Sequence, residues 1–414
     1  MSIYKGTTQL TGGFTPVDTE LSTTSTNPPQ NKLVTDKLVE MGADIWQKPA
    51  DWVDIRSGAL PNSVYFLVGH SADYTTYPSF SITPRLTNSG TYDIYIDGIK
   101  QVSAVASNTA TTITWQTLAL TSGFDVTYPT SLRTHIVRIT PTGNDTLSEI
   151  LIGNFTNNGG VLWAHVTAQN NINYQFGSTN AGYGCNHLIG VTCSRDALKV
   201  KNLNNAFGNC TELVTLPPLE TTGTDTIIHY AFYDCKKLKR IKLIGFNQTS
   251  TSVYNSAPFN NCESLEEIIM DNCLTRIANF SGCKSLKKLP TGNTFHNGYQ
   301  TTIDLKDLKN LSQTVLAIDS SIAKKVLANG TSSNRMDGLK GLTVANDAPF
   351  DDASSPQINV SYTGLDRAAL VNLFNSLPTV SASQVINVTG AAGAADLDAT
   401  DLAIATGKGW TVTR

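Results

Sequence analysis

AFGNCTELVTL at 206–216, AFYDCKKLKRI at 231–241, PFNNCESLEEI at 258–268 and NFSGCKSLKKL at 279–289 are four variants of one unit. Their cysteines, Cys210, Cys235, Cys262 and Cys283, follow on from Cys185, with gaps of 25, 25, 27 and 21 residues along the series. Three residues after each Cys stands a leucine: Leu188, Leu213, Leu238, Leu265 and Leu286. Six after stands another aliphatic: Val191, Leu216, Ile241, Ile268 and Leu289. Phe207, Phe232, Phe259 and Phe280 precede the last four cysteines by three residues, whereas Cys185 has no such Phe and reads as an opening cap.

One such unit cannot bury its own Phe, Cys, Leu and Ile. Stacked units bury them as continuous columns, which makes the region a solenoid with units in the length range of leucine-rich repeats. The cysteines then read as small, reduced, apolar core residues. A zinc site would want two Cys a few residues apart facing a second such pair, and these lie a whole unit apart. Only Cys185/Cys193 and Cys273/Cys283 break that spacing. Seven cysteines are an odd number, so a complete set of internal disulfides is excluded.

Between the column positions lie Lys236, Lys237, Lys239 and Arg240, then Glu263, Glu266 and Glu267, then Lys284, Lys287 and Lys288. Neighbouring strands run about 4.8 Å apart, so a basic, an acidic and a basic rung should sit side by side. An ion ladder fixing the register is one reading; a merely solvated face and a ligand-binding patch are the others.

The four units resemble the BspA-like leucine-rich repeats, which run Ala-Phe-x-x-Cys-x-x-Leu-x-x-Ile. The resemblance covers about 184–289. It implies a binding protein of the kind found on bacterial surface adhesins and in phage or prophage tail proteins. The C-terminal ADLDATDLAIATGKGWTVT, residues 395–413, is similar to the ends of phage repeat proteins of this type.

Other regions follow different patterns. Period-two alternation recurs in 63–68, 92–96, 112–118, 135–140 and 161–167, and Asp97-Gly98 is a hairpin signal. An antiparallel β-sandwich or jelly roll is therefore expected over 60–178. Trp115 and Trp163 could stack on a glycan there, or simply fill the core. Residues 1–59 hold the polar linker Leu21-Ser-Thr-Thr-Ser-Thr-Asn-Pro-Pro and read as an attachment arm, or as a strand tucked along the sandwich. The solenoid is expected over 179–302. Residues 303–414 should close it with helix–strand rungs: helices at 312–327 (stopped by Asn329-Gly330), 365–377 and 398–406, and strands at 303–305, 385–388 and 410–412. Asp398 and Asp401 fall at capping positions of the last helix. The fold class expected is thus multidomain and β-rich.

The chain of 414 residues is 40 % hydrophobic and only 15 % charged, with 31 Gly and a net charge of −3. The charged fraction lies below the roughly 25 % of ordinary soluble domains, which suits a Thr/Ser/Asn-covered virion or extracellular β protein. The net charge gives no reason to bind nucleic acid, and no apolar run would insert in a membrane. Met-Ser-Ile-Tyr-Lys-Gly lacks the order of a signal peptide, which points to release by another route such as phage lysis. None of the six His belongs to a metal motif, and no nucleophile elbow, P-loop or Rossmann glycine pattern occurs. Asp351-Asp352 and Asp396/Asp398/Asp401 are the densest acidic spots and read as caps rather than a glycosidase pair.

The expectation is a non-enzymatic phage tail-fibre or receptor-binding protein, with no catalytic residue, cofactor or metal. It would bind a bacterial polysaccharide or outer-membrane protein and attach through its N-terminal arm to other tail or baseplate proteins. A homo-oligomer such as a trimer is compatible with this, although no heptad supports one. A bacterial surface adhesin, a structural tail spacer and a glycan-cleaving fibre are the alternatives.

Overall fold

A computed structural model describes residues 52–71, 79–114, 132–152, 160–168, 170, 172–176, 185–224, 226–248, 257–273, 275, 277, 279–290, 302–311, 315–319, 325–345, 357–380 and 384–414. Trp115, Asp351-Asp352 and residues 1–51 of the expected arm lie outside them. The architecture is β-rich, with a β-solenoid of about 8 turns and few helices.

The N-terminal strands are β1 (Val64–Ser71), β2 (Ser79–Leu86), β3 (Thr91–Ile96), β4 (Ile99–Ala106) and β5 (Thr111–Thr114). They continue as β6 (Leu132–Pro141), β7 (Leu147–Ile152), β8 (Gly160–Val166) and β9 (Asn173–Gln175), with β10 (Gly190–Cys193) as the first solenoid strand. They form two sheets, ordered β10-β8-β1-β6-β3-β4 and β5-β2-β7-β9. Alternation in β1 sends Val64, Phe66 and Val68 to the main core. Tyr65 and Leu67 face the other way, where Trp52, Ile55, Leu162 and Trp163 join them in a second cluster. Chain from Trp52 to Ala59 thus packs against this sheet's second face. With both faces covered, β8 (GVLWAHV) is buried along its whole length and loses the alternation of a half-exposed strand.

The β3–β4 hairpin turns at Asp97 and Gly98, with φ of 49° and 82°. Positive φ at both central residues is the type I′ arrangement that matches strand twist. The Asp97 carboxylate also ties the turn to β6: it accepts from Ile136 N at 2.9 Å and meets His135 Nδ1 at 2.7 Å.

The ladders run on into the solenoid. Strand β10 pairs in parallel with β8 and bridges to Thr215, while Ile172, next to β9, bridges to Val200. The solenoid strands that follow are β11 (Leu198–Lys199), β12 (Leu219–Glu220), β13 (Arg240–Ile244) and β14 (Glu267–Asp271), all parallel. One core cluster reaches from Val64 to Trp410.

The C-terminal rungs comprise β15 (Thr302–Asp304), β16 (Val315–Asp319), β17 (Lys325–Leu327), β18 (Gly341–Ala345) and β19 (Ile358–Asn359). After them come α1 (Arg367–Ser376), β20 (Gln384–Asn387), α2 (Ala399–Thr406) and β21 (Trp410–Thr413). Strands β15-β17-β19-β20-β21 make one parallel sheet and β16-β18 another. The helix expected over 312–327 does not form. That stretch contributes β16 and β17, because each strand gains a parallel neighbour in register and the β-branched Val315, Ile318 and Val326 suit a strand. Gly330 is therefore not a helix stop. A Cβ there would lie 2.3 Å from Asn334 O, so backbone approach selects the glycine. Helices α1 and α2 form where the spacing predicts them. Asp366 caps α1, and Asp398 and Asp401 make a reciprocal capping box on α2.

Candidate interaction surface

The repeat columns form as the spacing predicts. Phe207, Phe232, Phe259 and Phe280 are fully buried and stack nearly parallel, with centroids 5.3–6.2 Å apart. The column has one ring more than the sequence pattern reveals. Phe176 stacks on Phe207 at 5.6 Å, and its carbonyl accepts from Cys185 N just as Phe207 O accepts from Cys210 N. It is the Phe missing from the first unit, displaced by extra residues between it and Cys185, so fixed spacing could not find it.

Each column thiol donates to the carbonyl of the Phe one rung back. Cys235 Sγ reaches Phe207 O at 3.1 Å, Cys262 Sγ Phe232 O at 3.0 Å and Cys283 Sγ Phe259 O at 3.0 Å. Cys thus supplies a small apolar body and a donor for a buried carbonyl. All seven cysteines are free. Burial pushes the Cys210 and Cys283 thiols up to about 12, and those of Cys185, Cys235 and Cys262 well above the ordinary value. They are neutral at physiological pH and so lack the thiolate that nucleophiles and metal ligands require. Leu213, Leu238, Leu265 and Leu286 are completely buried in the next column.

The outward charges pair between rungs. Glu267 lies between Arg240, at 2.9 Å, and Lys288, at 4.0 Å. Glu266 meets Lys287 at 2.5 Å and Glu263 meets Lys284 at 3.3 Å. Lys237 reaches back to Glu212, and Lys242 meets Asp271 at 2.7 Å. The Lys287 hydrogen bond holds the Glu266 carboxyl below its usual range, with Lys239 and Arg240 adding to it. The basic–acidic–basic alternation is therefore an ion ladder between successive rungs.

The turns on the ladder-Phe side of the units carry amides and aromatic rings instead. His229, Tyr230 and Tyr233 form a half-exposed cluster, with His229–Tyr230 centroids at 4.3 Å and Tyr230–Tyr233 at 5.7 Å, both edge-to-face. Ile227 beside them is 40 % exposed. Asn205 and Asn209 belong to the rung before, their N–H groups donating to His229 O and Tyr233 O. Asn260 belongs to the rung after, its carbonyl accepting from Asp234 N. These aromatics lie outside the repeating columns; the signal for them in the sequence is Tyr230 where the other units carry Asn or Ala, and Tyr233 where they carry Gly, Asn or Ser.

Trp163 is not available to a ligand. It is fully buried, its Nε1 donates to Thr192 Oγ1 at 2.9 Å, and the Arg56 guanidinium lies 5.3 Å from its ring centroid. A strand with both faces covered has no open aromatic face to offer. His165 on the same strand meets Thr192 Oγ1 and Ser194 Oγ; burial, then the Arg56 charge, lowers it to about 4. A polar cleft of about 280 Å³ lies at the first solenoid turn, lined by Arg195, Asp196, Ala197, Lys199 and Glu220. Among the described residues no group of three or more His, Cys, Asp or Glu could hold a metal ion, and no helix is long and apolar enough to cross a membrane.

The stacked Phe, the thiol column and the parallel strands lie in the stretch where comparison with known families finds a match. Residues 203–326 are a BspA type leucine-rich repeat region, matched in six copies. The match extends past the four units legible by eye into the rungs after Leu289, where the ladder continues with changed side chains. No curated protein and no solved structure matches the chain.

Proposed function

We propose that this chain is a receptor-binding protein of the phage tail-fibre type, adhering non-covalently to a bacterial surface. The observation that carries the reading is the series of parallel rungs between β8 and β21, shared among three sheets and one core cluster. A stiff array of this kind can present one surface without ordering cost on binding, and copy number on a particle would multiply a weak contact. The low charge fraction and the C-terminal ADLDATDLAIATGKGWTVT support a virion setting. In this reading residues 1–59 attach the chain to tail or baseplate proteins and the two N-terminal sheets act as a sandwich-like spacer. The repeat region and its closing rungs are the distal, receptor-facing part.

The test is binding of the fluorescent full-length chain to a panel of bacterial strains, with and without a large excess of unlabelled protein. Saturable labelling of particular strains is the expected result. Saturable binding to none, set beside incorporation into a tail or baseplate assembly, would replace adhesion with a spacer role.

A further inference from the structure

We propose that the turn edge formed by His229, Tyr230 and Tyr233 is a binding site for a neutral, pyranose-containing glycan. The inference rests on the adhesive reading above and names the site and ligand class within it. Residues 202–209, 227–234 and 257–261, which form this edge on three successive rungs, contain no Lys or Arg and one acidic residue, the half-exposed Asp234. Several outward charges elsewhere on the same units, Arg240, Lys284 and Lys287 among them, are paired between rungs. An anionic ligand therefore has no basic partner at this edge. A ligand with apolar C–H faces and many hydroxyls has two partners: half-exposed rings, and the exposed flanking amide of Asn204. Tyr supplies rigid amphipathic contact at small entropic cost, and Asn supplies adaptable hydrogen bonds.

The backbone gives a separate reason to single out Tyr230. It sits at φ 48°, in the left-handed region, where a bulky side chain is unfavourable. The matching position two residues before the ladder Phe holds Asn205 at φ 53° in the rung before, and Asn adopts this conformation at low cost. The rung after holds Ala257 there at φ 42°, so of these three rungs this one alone places a bulky ring in the left-handed conformation, which marks the ring for a role beyond stability. The size of the edge points the same way. Three rungs at about 4.8 Å spacing make a strip roughly 10–15 Å wide. That width suits a short stretch of sugar residues.

The experiment uses the full chain as wild type, Tyr230→Asn and Tyr233→Ser. Each is measured against immobilised neutral oligosaccharides built from glucose, galactose, mannose or N-acetylhexosamines, and against cells that the wild type labels. The expected result is wild-type binding to at least one oligosaccharide, weakened about tenfold or more by either substitution, one ring contact being worth roughly that factor. Y230N should keep or raise the melting temperature, which separates lost binding from lost folding. Loss of cell labelling after periodate treatment, which cleaves vicinal diols, but not after protease treatment would support the glycan. The converse sensitivity would make the partner a protein and overturn the inference. If cells are labelled but neither substitution changes that and no oligosaccharide binds, this site falls while the adhesive reading stands. If an oligosaccharide binds wild type but not the variants and no cell is labelled, the site stands and the adhesive reading falls.

Discussion

Two stretches of the same solenoid solve the stacking problem differently. From Leu203 to Leu289 the ladder rests on repetition, with each rung contributing a ring to the Phe stack, a thiol hydrogen-bonded to the previous rung and an interleaved charge. From Thr302 onward the parallel ladder persists but the columns give way to individual devices. Arg335 donates to the carbonyls of Thr363 and Gly390 across rungs. Arg367 ties α1 to α2 through Asp398 and Asp401. Lys408 Nζ donates to the carbonyls of Phe374, Asn375 and Leu377 at the end of α1, and Trp410 Nε1 donates to Pro378 O. A rung built on repeated columns can be generic, whereas the rungs that lack them use helices and specific polar ties to cover apolar edges.

The sharpest way to break this contrast is to remove one ring from each stretch. Phe232→Ala and Trp410→Ala should each cost about 3–5 kcal/mol, but hydrogen exchange should separate them. F232A should raise exchange in the rungs on both sides, since its ring touches Phe207 and Phe259; W410A should fray only the last rungs. Equal spreading from both would mean the solenoid unfolds as a single unit. Cys262→Ala tests the thiol column. Loss of the Sγ–H donor to Phe232 O should cost about 1–3 kcal/mol in urea titration, whereas a neutral result would reduce the cysteine to a space filler.

A smaller effect is expected for the double reversal Glu266→Lys and Glu267→Lys. Each broken exposed pair is worth about 0.2–1 kcal/mol, so the melting temperature should fall by a few degrees at low salt and by less in 1 M salt. No shift at low salt would leave the ladder decorative.

The last comparison is between the repeat columns and the junction that precedes them. His165 there is neutral and lowered to about 4 against its ordinary 6.5. Its stabilising effect is therefore complete above about pH 6.5 and is lost as pH falls toward 4. His165→Asn should flatten the stability profile in that window. The buried column thiols stay neutral throughout it, so an acid-induced opening should show first near β8 and β10.

The same contrast decides what was legible. Columns at near-constant spacing exposed the solenoid and its core residues, and local chemistry exposed the Asp97-Gly98 turn and the Asp398/Asp401 cap. Where spacing varied, legibility failed. Phe176 is hidden from fixed spacing by an insertion, and the apolar spacing of 312–327 fits a helix as well as a strand. The aromatic edge stays hidden because nothing repeats there.

By itself, then, the sequence determined the repeat, its buried Phe, Cys and Leu columns, the alternation of charge between rungs and the local signals for turns and caps. These depend on residues close in the chain or on periodicity, and both are written in one dimension. Tertiary structure alone decided that β16 and β17 are strands, that Trp163 is sealed beneath Arg56 and the segment from Trp52, and that N-terminal strands feed the solenoid ladders. It also decided that His229, Tyr230 and Tyr233 meet at one edge between flanking amides. Each of these depends on which distant segment supplies a hydrogen-bonding neighbour or covers a face, and that is settled only when the chain is packed.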